Sequence, residues 1–231
     1  MIKIGCLSDL HGYVYGIIDK VYKDIELLII AGDLCPIDDV SLQKEWLNFY
    51  YARVFNKKTF PDLQQILIVP GNHDFWIEKN YEYHQEEFSK VFGSYTKILI
   101  EEEYEFVSNI SFESIRLYGN PRSSSYLQAF SHKSGNKDIL DIPEGVDILI
   151  THEAPRINEL DCIKQSKNWY DDEPGNLELA NKVFEILPKY HIFGHIHFPC
   201  QHLINNITFI NASQLIRKTY EPELYIIDFE K

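Results

Sequence analysis

Five short segments of this chain end in side chains that can hold metals or move protons. They are Ser8-Asp9-Leu10-His11, Ala31-Gly32-Asp33, Gly71-Asn72-His73-Asp74, Thr151-His152 and Gly194-His195-Ile196-His197. Imidazole nitrogens, carboxylate oxygens and an amide oxygen are borderline to hard donors, and suit Mn, Fe or Zn better than Cu(I). Asp9 and His11 are spaced i, i+2, which in an extended segment puts both on one side, where they could grip one cation. Asp33 has two oxygens and could bridge two ions. His73 could face a substrate instead of a cation. Free imidazole titrates near ~6.5, a range that suits proton donation near neutrality. Each segment also has an ordinary explanation when taken alone: a polar loop turning at Gly12, a plain Gly-Asp turn, a hydrogen-bonded core histidine. Asp74, just before Phe75, reads as a helix N-cap.

The segments gain weight from what precedes them. Ile2–Leu7, Leu27–Ala31, Ile66–Val69, Val146–Ile150 and Ile192-Phe193 are apolar runs that read as buried strands. Each delivers its polar residues at its carboxyl end, where open α/β sheets bind ligands. Val14–Tyr22, a helix from a Ser41 cap through Phe55, and the amphipathic stretch Ile77–Phe92 closed by Gly93 fill the gaps, giving β-α-β-α-β-α. Leu42, Trp46, Leu47 and Tyr50 are expected on the inner face of the second helix. Beyond Gly93, the runs Ile98–Ile100, Tyr104–Val107, Ile110–Phe112 and Ile115–Tyr118 suggest an antiparallel meander. Asn120–Asn136 reads as a long loop near the site, and with the stretch 162–174 it is expected to shape specificity. A helix over Asn176–Leu187 and strands at Thr208–Ile210 and Leu224–Phe229 complete the chain. With no repeat or linker, residues 1–231 read as a single domain.

Composition narrows the function classes. The 231 residues are 45% hydrophobic and 25% charged, an ordinary globular balance. The formal charge of −13 argues against an extensive nucleic-acid surface, which needs many Lys and Arg contacts. No apolar run approaches the ~20 residues that span a bilayer, so no membrane partner is expected. The opening Met1-Ile2-Lys3-Ile4 reads as a strand and not as a signal peptide, which makes the cytoplasm the expected location. Cys6, Cys35, Cys162 and Cys200 form no C-x-x-C pair and are expected as reduced thiols.

The ordered set Asp-x-His, Gly-Asp, Gly-Asn-His-Asp, a strand-end His and Gly-His-x-His, running from Asp9 to His197, resembles the calcineurin-like metallophosphoesterase superfamily. The resemblance implies a four-layer α/β/β/α sandwich with two central mixed β-sheets. It implies two divalent metal ions, with Asp9, His11 and His197 on one, Asn72, His152 and His195 on the other, and Asp33 between them. His73 would be the proton donor. The implied reaction is hydrolysis of a small phosphomonoester or phosphodiester by a hydroxide activated at the two-ion site, with no covalent protein nucleophile. A catalytically quiet scaffold of the same fold, used for protein interaction, is the alternative, and a nuclease is a third reading that the acidic balance disfavours. Two departures stand out. Many relatives carry an acid three residues after the bridging Asp, where it orients the His; here that position is Pro36. Ala154 replaces a common Pro after His152. Arg122 could hold a phosphate or be a plain loop residue; Tyr126 and Trp169 carry no assigned role.

Overall fold

The computed structural model describes residues 1–36, 38–81, 85–124, 127–131, 141–166, 175–214 and 224–230. Its strands among these are, in chain order, β1 (Ile2–Leu7), β2 (Leu27–Ala31), β3 (Gln65–Val69), β4 (Thr96–Ile98), β5 (Glu102–Val107), β6 (Ser114–Asn120), β7 (Ile148–Thr151), β8 (Tyr190–Phe193), β9 (Cys200–Ile204), β10 (Ile207–Asn211) and β11 (Tyr225–Phe229). They form two mixed sheets, ordered β11-β1-β2-β3-β4 and β5-β6-β7-β8-β10-β9. In the first sheet β1 to β4 run parallel and β11 antiparallel. In the second, β6, β7, β8 and β10 run parallel, flanked by antiparallel β5 and β9.

Period-2 alternation of apolar strands explains the layering. Leu27, Ile29 and Ala31 face the second sheet and pack with Ile148, Ile150 and Ile192 in the core between the sheets. Leu28 and Ile30 face the other way, against Leu47, Tyr51, Phe55 and Trp76 from the helical side. On the far face of the second sheet, Leu149, Phe193 and Phe209 pack with Leu179 and Val183 of the helix Leu177–Ile186. An entirely apolar β2 is buried on both faces because helices cover one and a sheet the other.

Several local expectations need correction. The first helix is one turn, Tyr15–Ile18. The second is capped by Asp39, whose carboxylate accepts from the Ser41 and Leu42 amides, and not by Ser41. It runs Val40–Trp46 and then widens into a π-turn over Leu47–Tyr51. Leu42, expected inside, is exposed, while Gln43 is buried and bonds the backbone at His73 and Trp76. Ile77–Phe92 is covered by two helices, Phe75–Asn80 and Gln85–Phe92. The run at Ile98 belongs to the first sheet, parallel to β3, because Thr96–Ile98 completes a βαβ crossover. Ile110–Phe112 is a turn and not a strand; the Phe112 amide bonds Ser108 and its ring is exposed. β9 has no clear apolar signature, because it is half-exposed and polar at Gln201 and His202. None of the four cysteines is in a disulfide, and all are buried. No described helix is long and apolar enough to cross a membrane.

Candidate metal centre

Parallel strands put their carboxyl ends on one rim, and the five ligand-bearing segments meet there. The two sheets are joined at that rim, where the Ser8 amide donates to the Ala212 carbonyl at 2.9 Å. The Asp9 amide reaches the Gly32 carbonyl and the His11 amide the Asp33 carbonyl, both at 2.9 Å, so the first two loops are laced together. Asp9, His11, Asp33 and His195 all have positive φ, at 52°, 43°, 53° and 67°. A non-glycine residue there is strained by roughly 1–3 kcal/mol, and such strain clusters at functional sites. Two glycines make the close approach possible. A Cβ on Gly32 would lie 2.2 Å from His152 Nδ1, and one on Gly194 would lie 1.8 Å from Ser8 Oγ. Any side chain at either position would push the histidine loops away from the aspartate loops.

The side chains converge in two sets around Asp33. Asp9, His11, Asp33 and His197 offer ligand atoms that all lie within 4.8 Å of one another. The Nε2 atoms of His11 and His197 face each other at 3.4 Å. His197 Nε2 is 3.4 Å from Asp9 Oδ1, and His11 Nε2 is 3.5 Å from Asp33 Oδ2. On the other side, His152 Nε2 lies 3.3 Å from Asp33 Oδ2 and 2.7 Å from Asn72 Oδ1. His195 Nδ1 is 3.0 Å from the same Asn72 oxygen. All seven residues expected as ligands are therefore at the rim. The donors are nitrogen and oxygen only, and two buried carboxylates aim lone pairs into the same space as imidazole nitrogens. Buried anions are stable only when paired or coordinating cations, so this donor set fits divalent ions.

The electrostatics follow from that crowding. Burial pushes Asp9 up, but its hydrogen bond to His197 and the nearby imidazoles outweigh this and hold it below the usual carboxylate range. Asp33 is held low in the same way, chiefly by His152. Burial pulls His152 down, yet the Asp33 carboxylate beside it brings it up to about 10. His11 and His195 are pushed down by burial. The His152 ring is aimed by its Nδ1, 2.9 Å from the Ala31 carbonyl. That leaves Nε2 for the site, as is usual for a metal-binding imidazole with a fixed second nitrogen.

His73 stands beside this cluster. Its ring centroid is 5.2 Å from that of His11, and its amide donates to Asp33 Oδ1 at 2.8 Å. Its Nδ1 lies 2.6 Å from Asp38 Oδ1. The orienting acid, absent at Pro36, is thus supplied two residues further on. The acidic pair Asp38-Asp39 is the only sequence signal for it, and that pair alone does not say which acid turns inward. Asp74 makes no capping bond; its carboxylate accepts from the Gly71 and Cys35 amides at 2.8 and 3.0 Å and ties two site loops together. Gln128 accepts from the Asn72 amide nitrogen, which turns the Asn72 oxygen toward the histidines; nothing in the sequence points to it. Arg122 forms a fork with Glu101 at 2.8 and 2.9 Å. Tyr126 and Trp169, like His84 and His132, lie outside the described residues.

Comparison with known proteins decides the family. The family model for calcineurin-like phosphoesterases matches residues 2–199. The chain belongs to the calcineurin-like phosphoesterase family. Among curated relatives, human metallophosphoesterase domain-containing protein 1 is 28% identical over 240 residues, covering 94% of this chain and 67% of that one. A UPF0046 protein of Caenorhabditis elegans is 28% identical over 246 residues, covering 98% of this chain and 81% of the relative. The fold also matches the phosphopantetheinyl hydrolase of Mycobacterium tuberculosis, with a TM-score of 0.62 at 13% identity over 99% of this chain and 96% of that one. A Thermus thermophilus protein, TT1561, gives a TM-score of 0.58 at 12% identity, covering 90% of this chain and 88% of that one. Membership agrees with two mixed sheets, helices outside and a histidine–aspartate rim, and it makes the chain a hydrolase of phosphate esters in general terms.

Proposed function

We propose that this phosphoesterase works with two divalent metal ions and cleaves a small phosphomonoester or phosphodiester. Asp9, His11 and His197 hold one ion, Asn72, His152 and His195 hold the other, and Asp33 lies between them. The observation that carries this reading is the placement of Asp33: one carboxylate oxygen is 3.5 Å from His11 Nε2 and 3.3 Å from His152 Nε2. When bound, such ions lower the pKa of a water and neutralise phosphoryl charge.

The remaining work falls to the chain's own groups. His73 gives a proton to the leaving oxygen. Asp38 accepts from His73 Nδ1–H, which fixes the tautomer and leaves Nε2 toward the substrate. Gln43, bonded to the His73 carbonyl at 2.7 Å, holds that loop from beneath. Asp74 keeps Gly71 and Cys35 together, so Asn72 and Asp33 stay in register. The test is hydrolysis of a nitrophenyl monoester and a bis-nitrophenyl diester after metal stripping and Mn²⁺ readdition, with His73→Ala as control. Activity restored by Mn²⁺ and lost in the variant supports the reading. Two bound metals with no turnover of any ester would overturn it.

A further inference from the structure

Beside the metal centre lies a cavity of about 690 Å³ that none of the seven ligand side chains except His11 lines. His11 and His73 form its inner wall, and Tyr13, Tyr15, Trp46 and Tyr50 form the rest of its ring-lined surface. Trp46 and Tyr50 stack with centroids 5.9 Å apart and planes inclined by 27°. The π-turn that begins at Leu47 sets the pitch between these two rings. Such turns widen a helix locally and recur at functional sites. Tyr15 and Tyr50 both line this space. Tyr13 and Tyr15 are 48% and 68% exposed.

The lining says what this space takes. No Lys or Arg is among its described residues, and Asp38 is. A second phosphate or other anion would find no Lys or Arg there and one like charge, Asp38. A neutral ring would find aromatic faces. The cavity also has a fixed relation to the chemistry: His73, which protonates the leaving oxygen, forms its wall, so the group behind that oxygen enters it. We infer that the leaving group is a neutral alcohol bearing a planar aromatic ring, stacked on Trp46 and Tyr50 and edged by Tyr13 and Tyr15. This rests on the phosphoesterase reading and specifies which side of the phosphorus carries recognition.

The experiment compares 2-naphthylmethyl phosphate with ethyl phosphate on the Mn²⁺-loaded enzyme, both alkyl esters of similar leaving ability, read as phosphate release. A ratio of kcat/KM favouring the naphthyl ester on the order of tenfold or more is expected, the effect of one stacked ring. Trp46→Ala lowers that ratio, Trp46→Phe retains most of it, and Tyr15→Ala, at an exposed position that is safe for folding, lowers it in part. A ratio near one in the unaltered enzyme, or a ratio unmoved by both alanine variants, overturns the inference and leaves the hydrolase reading standing. Should no ester turn over, the hydrolase reading fails on its own. Calorimetric binding of 2-naphthylmethylphosphonate against ethylphosphonate then decides the cavity: tighter naphthyl binding that weakens in Tyr15→Ala upholds it, and equal affinities overturn it.

Discussion

The two ligand sets on either side of Asp33 differ in how they meet solvent. Asp9, His11 and His197 form the more open set: Asp9 is fully buried, but the His197 side chain is 41% exposed and that of His11 17%. It adjoins His73 and the ring-lined cavity. Asn72, His152 and His195 form the more closed set, with His152 fully buried, Asn72 nearly so and His195 half-buried. The closed set is braced from behind by the Ala31 carbonyl and by Gln128. The difference assigns different work to the two sides. On the proposed two-ion reading, the closed set would anchor the centre and the open set would face the arriving substrate.

The largest effect is expected where the comparison is weakest, at the residue both sets share. Asp33→Ala should reduce metal content from two ions toward none by elemental analysis; selective loss of one ion would show that Asp33 belongs to a single set. His73→Ala should leave metal content intact and lower kcat by roughly 10²–10⁴, the usual contribution of a positioned acid. Loss of metal from that variant would move His73 into the open set. Next comes the contrast itself. His197→Ala should lose one ion and lower the thermal midpoint only slightly, because its side chain is 41% exposed, whereas His152→Ala should lose one ion and also unfold clearly earlier, because it empties the space of a fully buried ring. Equal midpoints in the two variants would erase the distinction between open and closed.

Asp38→Asn is expected to act more gently, lowering kcat by about 10–100-fold, the range typical of groups that orient a reactive imidazole. The loss should be larger for an ethyl ester than for a nitrophenyl ester, whose leaving oxygen needs little protonation. An equal loss for both would make Asp38 a structural prop. The smallest effect separates His152 from His191, the other histidine fully buried among the described residues. Among the described residues, His191 has Thr151 Oγ1 at 2.9 Å and aromatic rings beside it but no carboxylate, and burial pushes it down to about 3. Unfolded, it takes its proton near ~6.5. Between those values the unfolded state binds the extra proton, so stability falls as pH drops through the window, by up to ~1.4 kcal/mol per pH unit. His191→Phe should flatten the slope of urea midpoints between pH 6 and pH 4, and an unchanged slope would assign it to other groups.

The ligand types were legible because metal chemistry admits few donors and each set of them follows an apolar run. Asp9, His11, Asp33, Asn72, His152, His195 and His197 could be named as expected ligands through the resemblance that their ordered set of motifs carries, and they meet at one rim. The supporting residues were not legible. Asp38, Gln43 and Gln128 are polar residues in polar surroundings, and only the packing of distant segments turns them toward His73 and Asn72. Asp74 illustrates the same limit. Its place before a helix suggested a cap, but the nearby Gly71 and Cys35 amides compete for its carboxylate and hold it.

By itself the sequence determined the donor inventory, the apolar period of the strands and the alternation that makes an α/β layering, because these depend on residue type and short-range spacing. Tertiary structure alone decided which strands share a sheet, since hydrogen-bonding capacity is identical in every backbone and Thr96–Ile98 could have paired with either sheet. It also decided which ligand set is closed to solvent, because burial depends on what packs from elsewhere. And it decided that Trp46 and Tyr50 line a cavity beside His73, because a π-turn changes the direction of side chains without leaving a mark on apolar spacing.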